Sequence, residues 1–191
     1  NLFTMTAEKF QNKYRIPSAR AQWHDYDGGL YFVTVCTYQK RYYFGNIFDN
    51  QMVFSPIGKY VVKCIEELSA HFPNAEIPLY VVMPNHIHLI VAIDHETKTN
   101  HDICRDVACY VSTGKTKNET MALISPKQGT LATIIRGLKS AVTRYAHKNQ
   151  IEFNWQPRFH DHIIRNVDEC NHIAEYIENN VVLWNMDELN K

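Results

Sequence analysis

The sequence is short of several features, and each shortage removes a class of function. No apolar run approaches the roughly 18 residues that a membrane helix requires, and no signal peptide stands at the start. A soluble, cytoplasmic protein is expected. Cysteine is scarce and unpatterned: Cys36, Cys64, Cys104, Cys109 and Cys170 are odd in number and nowhere spaced C-x-x-C. They read as reduced thiols, which excludes a disulfide framework and a zinc knuckle. Net charge is missing too, since twenty basic residues balance twenty acidic ones. A nucleic-acid binder that works by bulk charge is thereby excluded, while a local basic patch is not. Internal repeats and low-complexity tracts are also absent.

What charge there is, is polarised along the chain. Between Lys127 and Arg165 stand Lys127, Arg136, Lys139, Arg144, Lys148, Arg158 and Arg165 against Glu152 and Asp161. The sign then reverses through Asp168, Glu169, Glu175, Glu178, Asp187 and Glu188. Eleven Tyr, nine Phe and three Trp supply either core or a surface on which bases stack, and composition leaves both open.

A length of 191 residues with 45% hydrophobic side chains fits one domain, 1–191. Residues 1–29 read as a polar arm carrying the basic stretch RIPSAR, Arg15 to Arg20. Leu30 to Thr37 is β-branched and aromatic, hence a strand. Ser55-Pro56 opens a helix with Ile57, Val61, Ile65 and Leu68 at helical spacing, and Pro73 and Pro78 bracket its exit. Leu79 to Met83 and Ile87 to Ile93 read as strands. Residues 95–129 form a polar insertion of a length that is unusual inside a compact domain. From Thr130, a predicted N-cap, Leu131, Ile134, Ile135, Leu138, Val142 and Tyr145 make one apolar stripe with Arg136, Lys139 and Arg144 mostly outside it. Phe159 to Arg165 alternates weakly as a short strand or extended segment, and Asp168 to Asn180 is a helix. This order predicts an α+β domain with a mainly antiparallel sheet.

Two constellations can carry chemistry. His86 and His88 occupy positions i and i+2 of a strand, on one face and about 6.6 Å apart along the chain. Two imidazoles so placed can hold one metal ion, with Ile87 packing into the core behind them. Both are expected on an accessible face. His160 and His162 share this spacing, and periodicity does not separate the two pairs. The second constellation is Tyr176 with Asn180, one helical turn apart on one face, with His172 a turn earlier. A phenol beside an amide oxygen suits a nucleophile next to a metal ligand; it equally suits a tyrosine closing the core beside a helix C-terminal residue.

In order and wording the segments RIPSAR, YFVTVCT (31–37), VVMPNHIHLIV (81–91), LKSAVTRYA, FNWQPRFHDHIIRN and IAEYIENN (173–180) resemble the REP-associated tyrosine transposases, single-tyrosine relatives of the HUH transposases. The resemblance spans nearly the whole chain except 95–125. It implies a ferredoxin-like sheet with helices packed on it and the histidine strand central. It further implies that His86 and His88 hold a divalent metal, Mg or Mn, that Asn180 is the third ligand, and that Tyr176 is the nucleophile. The implied activity is cleavage and strand transfer of single-stranded or hairpin DNA through a 5′-phosphotyrosine. His160 stands where relatives often carry Tyr, which argues against a second metal pair there. Arg15, Arg20, Arg136, Lys139, Arg144, Trp155 and Arg158 are the expected DNA-binding residues, Trp155 being equally a core candidate. A hairpin-binding protein that does not cut, and a hydrolase in which a metal-bound water attacks, are the alternatives. Monomer and homodimer both remain open.

Overall fold

The computed structural model describes residues 28–94 and 129–190. Arg15, Arg20 and nearly all of the polar insertion therefore lie outside the described residues.

Four strands form the main sheet: β1 (Gly29–Cys36), β4 (Ala75–Val82), β5 (His86–Ile93) and β6 (His160–Ile164). They lie in the order β4-β5-β1-β6, and every neighbouring pair is antiparallel. Helix α1 (Pro56–Glu66) and the single turn α2 (Leu68–His71) join β1 to β4, α3 (Leu131–Lys148) precedes β6, and α4 (Val167–Asn179) follows it. Setting aside a small hairpin of β2 (Gly45–Phe48) and β3 (Gln51–Phe54), the order is β-α-β-β-α-β, the ferredoxin-like arrangement.

The pleat sorts side chains to two faces. Tyr31, Val33 and Val35 of β1 and Ile87, Leu89 and Val91 of β5 are fully buried against α1 and α3. The stripe of α3 predicted from spacing is the one that packs, with Leu131, Ile134, Ile135, Leu138 and Val142 at most 3% exposed. Tyr145 ends it by stacking on Tyr60 of α1, ring centroids 4.0 Å apart. On the other face Ile90 and Ile164 meet Ile177 of α4, with Cys170 and Ile173 at the margin. Helix α4 starts on a side-chain cap: Asn166 Oδ1 accepts from the Glu169 N–H at 2.8 Å. The Glu169 carboxylate accepts from the N–H of Arg165, the residue before the cap, at 2.8 Å and lies 2.6 Å from His162.

Two elements differ from the sequence reading. Strand β4 begins at Ala75 and runs through Pro78, which had read as a bracket before the strand. Proline is tolerated there because β4 is an edge strand and its register slips between Glu76 and Leu79. The β2–β3 hairpin was not expected. Its two-residue turn puts Asp49 and Asn50 at φ 48° and 58°, a conformation these residue types accept better than most.

Candidate active site

The turn between β4 and β5 fixes where the histidine strand begins. The Met83 N–H donates to the His86 carbonyl at 2.9 Å, while the Pro84 and Asn85 carbonyls accept from the Phe44 and Thr37 N–H groups at 3.0 and 2.9 Å. His86 and His88 then face α4, in register with Cys36 and Thr34 of β1. They are brought together, ring centroids 4.5 Å apart. They do not lie on an accessible face: His86 is 0% and His88 3% exposed. Helix α4 and residues 184–190 cover them, a covering made by chain remote in sequence.

Hydrogen bonds set the tautomers. Asn85 donates its amide N–H to the Leu189 carbonyl at 2.7 Å, so its Oδ1 faces His86 Nδ1 at 2.8 Å and accepts from it. The proton of His86 is therefore on Nδ1, and Nε2 presents a bare lone pair. It is buried with no hydrogen-bond partner. Thr34 Oγ1 lies 2.9 Å from His88 Nδ1, and the Tyr176 hydroxyl lies 3.2 Å from His88 Nε2. A Tyr176 O–H donating to Nε2 requires the proton on Nδ1, where Thr34 accepts it. Burial, foremost, holds both imidazoles far below the usual 6.5, at about 3, so they are neutral at physiological pH.

Tyr176 projects from α4 into this cleft at 44% exposure, its ring edge-on to Phe32 and beside His88. Burial, then the nearby Asp187 carboxylate, push its pKa above the usual 10.0, while a hydrogen bond to Asn180 pulls the other way. Asn180 caps the same helix, 2% exposed, with an amide oxygen that has no hydrogen-bond partner. His88, Tyr176, Asn180, Asp187, Phe32 and His160 all line one cleft of about 590 Å³.

Asp187 was not singled out from the sequence, where it reads as one more acid in an acidic tail. It belongs to this site: the ligand atoms of His86, His88 and Asp187 all lie within 4.8 Å of one another. Such a set is compatible with one divalent cation. The orphaned His86 Nε2, Asn180 Oδ1 and Asp187 Oδ2 support the fit, since buried polar atoms are ordinarily partnered. His160 and His162 lie on the same face of the sheet but farther along it, His160 across from Thr34 and His162 beside Glu169. They form no metal cluster among the described residues.

The expected DNA-binding residues gather elsewhere. Arg136, Lys139, Arg144 and Arg158 line a groove of about 750 Å³ along α3, on the opposite side of the sheet. Lys139 is engaged there, donating to the Gln156 and Arg158 carbonyls at 2.7 and 2.9 Å. The Arg158 backbone is at φ 67°, an uncommon conformation for a side chain this large. Trp155 packs against the core and donates its indole N–H to the Lys139 carbonyl at 3.1 Å. No helix among the described residues is long and apolar enough to cross a membrane.

Comparison with known proteins bears on the fold. No family model matches the sequence. An uncharacterized protein of Haemophilus influenzae is 34% identical over 165 residues, 84% of each chain. Among solved structures, a REP-associated tyrosine transposase bound to a REP hairpin superposes with a TM-score of 0.53 at 19% identity, covering 88% of this chain and 77% of the other. The chain belongs to one family with the Haemophilus influenzae protein, and its α+β fold is that of the REP-associated tyrosine transposases.

Proposed function

We propose that the protein is a metal-dependent DNA transposase-type nuclease that cuts and rejoins single-stranded or hairpin DNA with Tyr176 as nucleophile. The observation that carries this reading is the placement of the Tyr176 hydroxyl 3.2 Å from His88 Nε2, at the mouth of a cleft lined with bare acceptors. A buried histidine pair with both Nε2 atoms turned inward, an amide oxygen without a partner and a half-exposed phenol have no common purpose in a core. They suit a phosphodiester brought against a cation.

In this mechanism His86 and His88 would hold a divalent ion, Mg or Mn, with Asn180 as a further ligand. The bound ion would neutralise charge on the phosphate and favour the phenolate. Tyr176 Oη attacks phosphorus in line; the new Tyr–O–P bond forms as the P–O3′ bond breaks, and the departing oxygen takes a proton to become a 3′-OH. The DNA is left joined to Tyr176 through its 5′ phosphate. Because an ester replaces an ester, the 3′-OH of the same or another strand can reverse the step. Phe32 and His88 pack around the phenol ring and limit its swing, which keeps Oη near the cleft mouth.

Arg136, Arg144 and Arg158 are the proposed backbone contacts, with Lys139 and Trp155 supporting the groove from within. Phe159 lines that groove and His160, the next residue, lines the catalytic cleft. DNA crossing the edge strand β6 would thus connect the two. Arg15 and Arg20 are proposed to extend the contact to flanking nucleotides.

The test is incubation with labelled single strands bearing hairpins, with Mn or Mg, resolved on a denaturing gel. His88→Asn is the appropriate variant for a buried site: the Asn amide can occupy the place of Nδ1 and keep the Thr34 contact, while Nε2 is deleted. Wild type should cut and the variant should not. Full cutting by His88→Asn would overturn the assignment.

A further inference from the structure

One buried group has no role in that mechanism. Asp187 lies beyond the tyrosine helix, just after the short turn Trp184–Met186, with a side chain only 5% exposed. One carboxylate oxygen accepts from the Leu189 N–H at 2.6 Å. The other has no hydrogen-bond partner and stands 3.8 Å from His86 Nε2, which has none either. That separation is too long for a hydrogen bond. With the His86 proton fixed on Nδ1 by Asn85, two lone pairs face each other in a buried space. Asn180 Oδ1 is a third buried acceptor without a partner on the same wall. Buried acceptors left without partners are costly, and the facing pair at 3.8 Å is relieved by a cation between them.

We infer that Asp187 is the anionic ligand of the metal at the histidine pair, and that the ion ties down the C-terminal segment which carries it. This rests on the reading that His86 and His88 bind a metal. Two imidazoles and an amide are all neutral, a poor set for retaining a hard divalent ion, and a carboxylate supplies the missing charge. The segment is already positioned to deliver it. The Leu189 carbonyl accepts from Asn85 at 2.7 Å, the Glu188 carbonyl from Lys40 at 3.3 Å, and Asn190 Oδ1 from the Tyr42 hydroxyl. Trp184 lies against the His86 ring, centroids 6.0 Å apart. The ion would add a tie between this segment and β5.

The experiment is a calorimetric titration of the whole protein with Mn²⁺, without DNA, for wild type, Asp187→Asn and His88→Asn. Asp187→Asn keeps the acceptor for the Leu189 N–H and nearly the same volume, and replaces the oxygen facing His86 by an NH₂. Its Mn²⁺ affinity should fall by at least about ten-fold, the loss seen even for outer-shell changes. Hydrogen exchange in wild type gives a reading that needs no variant to fold: Mn²⁺ should slow exchange of the Leu189 amide. Wild-type affinity in Asp187→Asn alongside lost affinity in His88→Asn would remove Asp187 from the site and leave the histidine reading standing. Unaltered Leu189 exchange at saturating Mn²⁺ would do the same. Absence of Mn²⁺ binding by wild type would overturn both.

Discussion

The neutral, buried histidine pair makes the metal-free protein sensitive to mild acid. In the folded state both imidazoles are held at about 3, chiefly by burial. In the unfolded chain each titrates near the ordinary value of about 6.5. Below that value the unfolded state takes up protons that the folded state refuses, so stability falls as the pH drops. The effect begins as pH passes below about 6.5 and continues until the folded pKa is reached. At pH 5 the unfolded state gains about RT ln(1 + 10^1.5), roughly 2 kcal/mol for each imidazole, relative to pH 8. This amount depends on the unfolded value alone so long as the folded one lies well below 5. For the pair it is about 4 kcal/mol, a large share of the 5–15 kcal/mol typical of a domain. Urea denaturation in EDTA at pH 8, 7, 6 and 5 measures it directly. The double variant H86N/H88N removes both titrations and should lose correspondingly less stability between pH 8 and 5. An equal loss in wild type and double variant would show that the acid sensitivity comes from other groups and not from the histidine pair.

Further outcomes follow from the same geometry. Asn85→Ala leaves the His86 Nδ1–H and the Leu189 carbonyl without their partner, and should cost about 2–4 kcal/mol in urea denaturation. Mn²⁺ affinity in that variant should fall about 10- to 100-fold by calorimetry, because the His86 tautomer is no longer fixed. Replacing Arg136 and Arg144 by Ala should weaken hairpin binding and make the slope of log K against log salt shallower, by roughly 0.7 for each single-strand phosphate that is no longer neutralised. Fluorescence anisotropy at several salt concentrations reads both, and an unchanged slope would remove the α3 groove from the DNA path. Binding of random duplex as tightly as a hairpin with a single-stranded flank would count against the whole substrate class.

Much of the fold was legible because its periods are strong. The helical stripe from Leu131 to Val142 and the alternate residues Tyr31, Val33 and Val35 of the first strand face one core, so local spacing carried the information. The pairing of His86 with His88 was legible for the same reason, since alternation on a strand decides which side chains share a face. Their burial was not, because the cover is supplied by α4 and residues 184–190, nearly a hundred positions away. Asp187 left no trace in the pattern: a carboxylate among Asp168, Glu169, Glu175, Glu178 and Glu188 has nothing to distinguish it until the chain turns back at Trp184. The β2–β3 hairpin did leave a signal, the Asp49-Asn50 pair, but strands of four residues with half-exposed faces carry little periodicity around it. The engagement of Lys139 with two backbone carbonyls is a property of the 156–158 loop, and no spacing along α3 reveals it.

The most direct test of the central claim is mass spectrometry of the protein–DNA adduct trapped on a cleavable hairpin strand with Mn²⁺. The phenol should carry the 5′ phosphate of the cut strand through an ester that survives denaturation and proteolysis. Tyr176→Phe keeps the ring against Phe32 and His88 and removes only the attacking oxygen, so it should fold and bind the hairpin as wild type does. A nucleotide should be found on the peptide containing Tyr176 in wild type and on none in Tyr176→Phe. Undiminished adduct in Tyr176→Phe, or a nucleotide on Tyr145, which the structure stacks on Tyr60, would contradict it.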